Sequence, residues 1–166
     1  MHYFVLGLPF AAYPRDLSLL GWSDLARQVE AIANELELST GHEPLVLGMD
    51  KHMIASELSF YRTKLAGKSR DRGEGVRYTA GPNFFGHESL MFKYWFPKDK
   101  GLRAYSDVIV LVGPDPKSLC LDELIKDGWN VGSVKELIVR KNGIPVGWYC
   151  YAIAQSASAN SISALK

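Results

Sequence analysis

Cysteine is scarce in this chain of 166 residues, which has only Cys120 and Cys150. Two cysteines are too few for a disulfide scaffold, and they lack the C-x-x-C spacing of structural zinc sites. They could form one bridge in an oxidising compartment, although free thiols are the commoner state of buried cysteines. The sequence therefore excludes the class of small disulfide-rich domains and predicts a fold that depends on a hydrophobic core.

Long hydrophobic runs are absent as well. No stretch approaches the about 18 consecutive apolar residues of a transmembrane helix. Pro9 interrupts the apolar start of the chain, which also lacks the basic region of a signal peptide. A soluble piece of a membrane protein would share both properties, so they do not distinguish such a piece from a stand-alone soluble protein.

The chain also has no excess of charge of either sign. Its 19 Lys and Arg residues and 18 Asp and Glu residues leave a formal net charge of +1. Such a balance provides no overall field to attract nucleic acid or an anionic membrane surface. We therefore expect no nucleic-acid partner.

What is present is the composition of a globular protein, with 47% hydrophobic and 22% charged residues. The length predicts one domain. We assign residues 1–21 to an extended lead-in and residues 22–154 to a single α/β domain. Residues 155–166 are rich in Ser, Ala and Asn and are predicted to form a frayed tail.

Alternating helix and strand patterns indicate the fold class. An apolar helical face extends over 22–36, an apolar strand follows at 45–49, and a second helical pattern covers 51–61. The β-branched run 107–112 is the strongest strand pattern and is expected at the centre of the sheet. This order predicts an α/β fold with a mainly parallel, twisted sheet and helices on both faces.

The dipeptide Asn142-Gly143 separates two further strand patterns, 136–140 and 146–154. Asn-Gly favours the two-residue turn of a β-hairpin. We therefore predict an antiparallel C-terminal hairpin at one edge of the sheet.

No cofactor or metal motif is found in the sequence. The interval from Gly81 to Gly86 matches a phosphate loop, but His87 and Glu88 stand where that loop requires Lys and then Ser or Thr. The histidines have no metal-ligand spacing. We therefore predict no cofactor and no metal.

Asp50 and Lys51, which follow the first predicted strand, are candidates for ligand binding. Ligands of α/β sheets bind beyond the carboxyl ends of the strands, where these two residues would lie. The alternative is that Asp50 only caps the following helix. Further along, Tyr94 and Trp95 could stack on the apolar face of a sugar, or they could pack in the core or at a domain interface.

Two segments of the chain resemble a known family. They are Leu-Gly-Met-Asp-Lys-His-Met-Ile-Ala-Ser-Glu-Leu-Ser-Phe-Tyr at 47–61 and Thr-Ala-Gly-Pro-Asn-Phe-Phe-Gly-His-Glu-Ser-Leu-Met-Phe-Lys-Tyr-Trp at 79–95. They look like the soluble C-terminal region of polytopic glycosyltransferases of the dolichyl-phosphate-mannose-protein mannosyltransferase-like group, which includes aminoarabinose transferase-like proteins. The matching residues are Asp50, Ala55, Ser56, Glu57, Leu58, Phe60 and Tyr61 in the first segment and Gly86, Leu90, Met91, Tyr94 and Trp95 in the second.

Enzymes of that family transfer a sugar from a polyprenyl-phosphate donor, and they use acidic residues in a loop between membrane helices that this chain does not contain. The resemblance therefore implies a non-catalytic domain on the extracytoplasmic or periplasmic side of a membrane-bound parent chain. Such a domain would shape acceptor access or close the membrane active site. Its implied partners are the membrane helices of the parent and a glycan or polyprenyl-phosphate sugar.

Two other functions stay open. The chain could be a stand-alone soluble α/β enzyme or ligand-binding protein, or it could be a structural interaction module. We predict that any ligand surface is a cleft at the carboxyl ends of the strands. The alternative is that the residues of this cleft only brace the loop that carries them. The candidate residues are Asp50, Lys51, Glu57, Tyr61, Gly86, His87, Glu88, Tyr94 and Trp95.

Overall fold

A six-stranded mixed sheet organises the protein. The computed structural model describes residues 20–68, 78–89 and 91–156, with the backbone alone at 66–68. The strands are β1 (Leu45–Gly48), β2 (Thr79–Ala80), β3 (Val108–Gly113), β4 (Trp129–Val131), β5 (Lys135–Lys141) and β6 (Ile144–Ser156). The helices are α1 (Trp22–Thr40), α2 (Met53–Lys68), α3 (Phe92–Trp95) and α4 (Leu121–Lys126), with short 3-10 turns between them.

The sheet combines a parallel core with antiparallel strands. Its order is β2-β1-β3-β6-β4, and β5 also pairs with β6. Strand β1 is parallel to β2 and β3, whereas β6 is antiparallel to β3, β4 and β5. All residues of β3 are buried in the middle of the sheet, because an uncharged β-branched run can be covered on both faces. The predicted α/β class and the central position of this strand are confirmed.

The predicted hairpin forms between β5 and β6. Lys141 lies opposite Ile144, which leaves a two-residue turn at Asn142 and Gly143. The φ angles of these two residues are 51° and 80°. A type I′ turn requires positive φ at both central positions, and Asn and Gly adopt them more readily than other residues.

The last strand is longer than the sequence pattern indicates. It continues through Gln155 and Ser156, beyond the predicted domain boundary at 154, because Gln155 pairs with Val108 and Ser156 pairs with Trp129. The rest of the predicted tail, 157–166, lies outside the described residues, and so does most of the predicted lead-in, 1–19.

Helices cover both faces of the sheet. On one face, α1 and α2 pack through apolar side chains such as Val29 and Leu58 against Val46 and Val110. On the other face, Leu111 and its neighbours contact aromatic residues that precede β3 and apolar residues of α4. Side chains along a strand alternate between its two faces, so β1, β3 and β6 contribute to both layers of the core. Among the helices of the described residues, none is long and apolar enough to cross a membrane.

Candidate functional site

Asp50, which follows β1, caps helix α2. Its Oδ2 accepts a hydrogen bond from the backbone N–H of Met53 at 2.9 Å, and its Oδ1 accepts one from Ile54 at 2.8 Å. These bonds satisfy N–H groups that have no partner within the first turn of a helix. Asp50 therefore has the capping role that was the alternative to ligand binding.

Lys51 and Glu88 connect two loops at the carboxyl ends of the strands. Lys51 Nζ lies 2.7 Å from Glu88 Oε2. Their hydrogen bond, and then their charge attraction, raises the pKa of Lys51 and lowers the pKa of Glu88. Both side chains are exposed, so the pair adds little stability. Its geometry nevertheless brings together two of the segments that were expected to meet.

His87 lies against a third loop, which follows β3. Its Nε2 is 3.5 Å from Sγ of Cys120. Glu123, in the first turn of α4, adds a carboxylate, and the nitrogen, sulfur and oxygen atoms of the three side chains lie within 4.8 Å of one another. An imidazole, a thiol and a carboxylate thus converge at the carboxyl edge of the parallel core.

Both cysteines are free thiols, with Cys150 buried and Cys120 half-buried. Burial, and then the charge of Glu123, raises the pKa of Cys120. A nucleophilic cysteine needs a lowered pKa, because the thiolate is the attacking form. Burial and the neighbouring carboxylate of Glu123 instead favour the protonated thiol of Cys120.

Trp95 belongs to a different part of the molecule. It lines a cavity of about 730 Å³ at the amino ends of β1 and β2, where Leu45 and Thr79 begin these strands. The predicted cleft is therefore divided, because Lys51, His87 and Glu88 meet at the other end of the same strands.

Aromatic rings form much of the wall of this cavity. Tyr78 and Phe96 are in edge contact with their ring centroids 6.1 Å apart, and Phe96 and Tyr105 are 5.3 Å apart. Phe96 is buried, whereas Tyr78 and Trp95 are each 61% exposed. The two exposed rings leave apolar faces open to a ligand.

Polar groups complete the lining of the cavity. Helix α2 contributes Ser59 and Thr63, whose Oγ1 donates to the carbonyl oxygen of Ser59 at 2.8 Å, and β2 contributes Thr79. Glu43, just before β1, also lines the cavity. The cavity therefore combines aromatic faces with hydrogen-bonding groups, which is the composition expected of a small-molecule site.

The remaining candidates have other surroundings. Tyr94 is exposed, and Lys93 Nζ lies 5.0 Å from the centroid of its ring. Tyr61 is partly buried against the layer of α1 and α2. Glu57 acts electrostatically on Tyr149, whose pKa is raised by burial and then by the charges of Asp50 and Glu57. Gly86 adopts a φ of 80° just before His87.

Most residues of these two sites were not among the predicted candidates, including Cys120, Glu123, Tyr78 and Tyr105. Cys120 and His87 are separated by 33 positions, so no short motif joins them. The sequence did contain one usable signal. Parallel strands place their carboxyl ends at one edge of the sheet, so the loops after β2 and β3 could have been paired in advance.

Comparison with known proteins adds no relative to these observations. No family model, no curated protein and no solved structure matches the chain.

Proposed function

We propose that this chain is an extracytoplasmic accessory domain of a membrane-bound polyprenyl-phosphate-dependent glycosyltransferase. The domain is non-catalytic and binds a sugar in the cavity that Trp95 lines. Binding there shapes the access of the acceptor to the membrane active site. The observation that carries this proposal is the combination of aromatic and hydroxyl-bearing residues in the lining of that cavity.

Sugars are recognised by this combination of groups. The C–H face of a sugar ring stacks on an aromatic ring, and its hydroxyls exchange hydrogen bonds with hydroxyls and carboxylates. Tyr78 and Trp95 offer exposed ring faces, while Ser59 and Thr63 bring hydroxyl-bearing side chains to the lining. The volume of about 730 Å³ suits a small ligand, since such pockets measure roughly 300 to 1,000 Å³.

The two segments that resemble the glycosyltransferase family also support the proposal. The end of β1, at Leu47 and Gly48, belongs to the first segment, and Leu47 pairs with Ala80 of β2, which begins the second. Ser59 comes from the first segment, and Thr79 and Trp95 come from the second. The resemblance and the candidate sugar cavity therefore involve the same part of the fold.

Sugar binding can be tested by NMR, using methyl glycosides of mannose, glucose and 4-amino-4-deoxyarabinose. The chain has four tryptophans, and we expect the indole N–H signal of Trp95 to shift with at least one glycoside. Trp95→Ala should weaken this binding by about tenfold, because the loss of a stacked ring costs roughly 1.4 kcal/mol. Trp148→Ala is the matched control, since Trp148 is 52% exposed on β6 and lies outside the cavity lining.

The outcomes distinguish the open functions. Shifts confined to Lys51, His87 and Glu88 would contradict sugar binding in the cavity and would favour the carboxyl ends of the strands. An absence of shifts with every glycoside would favour a structural interaction module. Equal binding by the Trp95→Ala and Trp148→Ala variants would also contradict the proposal.

The membrane parentage is tested by the coding sequence upstream of Met1. We expect an open reading frame there that encodes several hydrophobic helices. A start codon at Met1 preceded by a ribosome-binding site would contradict the parentage and favour a stand-alone soluble protein.

A further inference from the structure

We propose that His87, Cys120 and Glu123 form a binding site for a divalent metal ion of the zinc class. The site lies at the carboxyl ends of β2 and β3, whereas the Trp95 cavity lies at the amino ends of β1 and β2. The metal site therefore does not depend on sugar binding. Its failure and that of the proposed function can be observed separately.

The three side chains are a donor set that zinc prefers. Zinc is bound in proteins by cysteine sulfur, histidine nitrogen and carboxylate oxygen. With Zn–S and Zn–N bonds of usual length, a tetrahedral ion separates sulfur from nitrogen by about 3.5 Å. The distance between Cys120 Sγ and His87 Nε2 is 3.5 Å. A metal ion can therefore be shared by these two atoms without a movement of the backbone.

The loop that carries Cys120 is held by its own hydrogen bonds. Asp115 Oδ1 accepts hydrogen bonds from the backbone N–H groups of Lys117 and Ser118 at 2.9 and 3.1 Å. Ser118 Oγ donates to the carbonyl oxygen of Asp115 at 2.6 Å. Leu119 is buried in the core beside Cys120. The position of the thiol is thus set before any metal binds.

The loop that carries His87 is anchored in the same way. The N–H of Gly86 donates to the carbonyl oxygen of Asn83 at 3.1 Å. Buried Asn83 donates through Nδ2 to the carbonyl oxygen of Phe96 at 2.6 Å. On the other side of His87, Glu88 pairs with Lys51. Both strong ligands therefore come from anchored loops, as a preorganised metal site requires.

Glu123 completes the site from α4. Its carboxylate oxygen lies within 4.8 Å of the other two ligand atoms and its side chain is exposed, so a change of rotamer can bring it to bonding distance. Three protein ligands leave a fourth position for water or another oxygen donor.

Cobalt provides a direct test, because a Co²⁺–thiolate bond gives a charge-transfer absorption band. We would titrate untagged, reduced protein with Co²⁺ and then displace it with Zn²⁺. We expect one equivalent to bind with a thiolate band, which Cys120→Ser abolishes. His87→Ala and Glu123→Gln should each weaken Co²⁺ binding by at least about tenfold.

The matched controls are Cys150→Ser, His52→Ala and Asp122→Asn, which remove the same chemical groups at positions outside the cluster. All three should bind Co²⁺ like the wild type, and circular dichroism would verify the folding of every variant. The proposal is overturned if the wild type gives no thiolate band in excess Co²⁺. It is equally overturned if the band survives Cys120→Ser or if the His87 and Glu123 variants bind like their controls.

Discussion

Gly48 is required by the close approach of β1 to α2. A Cβ at this position would overlap the backbone nitrogen of Ala55 and lie 2.5 Å from its Cα. Both are backbone atoms, so α2 would have to move against the sheet to accept a side chain. The Gly-x-Asp pattern at 48–50 therefore has a structural explanation. Gly48 leaves room for α2 to pack on β1, and Asp50 caps this helix.

We expect Gly48→Ala to lower the free energy of unfolding by about 3 kcal/mol, the upper end of the usual cost of overpacking. Adding Ala55→Gly should not restore stability, because the nearest atoms belong to the backbone. Urea denaturation measures both changes. In the control Gly41→Ala, a Cβ would meet nothing within 4 Å, and its left-handed backbone should cost about 1 kcal/mol. A Gly48→Ala protein as stable as this control would contradict the packing.

Arg62 joins three secondary-structure elements through one fully buried side chain. Its Nε donates to Glu30 Oε2 in α1 at 2.8 Å. Its Nη1 donates to the carbonyl oxygen of Tyr78 and to Thr79 Oγ1 in β2, both at 2.9 Å. The pairing of α1, α2 and the edge strand therefore depends on a charged group in the interior, which periodicity in the sequence does not reveal.

Arg62→Met should lower the free energy of unfolding by about 3 to 5 kcal/mol, because it removes the cationic partner of the nearly buried carboxylate of Glu30. Thermal or urea denaturation provides the measurement. The matched control is Arg27→Met. Arg27 pairs with Asp24 at 2.8 Å, but its side chain is 67% exposed, so the change should cost about 0.5 kcal/mol or less. Similar losses for the two variants would show that the buried pair has no special role.

Tyr149 connects the stability of the whole protein to alkaline pH. Its phenol is partly buried beside Trp22, with the ring centroids 5.7 Å apart. Burial, and then the negative charges of Asp50 and Glu57, raises its pKa above the ordinary value. The folded state therefore favours the neutral phenol more strongly than the unfolded state does.

We expect the contribution of the Tyr149 phenol to the free energy of unfolding to be fully present below about pH 10, where the phenol is neutral in the unfolded state. It should be lost as the pH rises from there through the folded-state pKa, because the unfolded state releases its proton first. Tyr149→Phe removes the titrating group, so its free energy of unfolding should fall less steeply than that of the wild type above about pH 10. Urea denaturation at a series of pH values measures the slopes. Parallel curves would contradict the coupling.

The opposed positions of the two candidate sites follow from the direction of the parallel strands. The segments after β2 and β3 carry the His87, Cys120 and Glu123 cluster, whereas the segments that precede β1, β2 and β3 surround the Trp95 cavity. A ligand at one end therefore does not occupy the other. The two sites can be altered independently.

The sequence by itself determined those structural elements that depend on residues adjacent in the chain. The β-branched run of β3 predicts a buried strand wherever it is placed, and Asn142-Gly143 defines the hairpin through the φ angles of two adjacent residues. The α/β class followed from the order of these patterns. In the same way, the capping role of Asp50 was recognisable because it involves neighbours in the sequence.

Only the tertiary structure decided which distant residues meet. The approach of His87 to Cys120 depends on how the loops after β2 and β3 pack on the core. The separation of Trp95 from Lys51 depends on the aromatic segment that returns the chain to the amino ends of the strands. The burial of Arg62 requires α1 and β2 together. Such contacts join residues through the packing of whole elements, and no periodicity or short spacing encodes them.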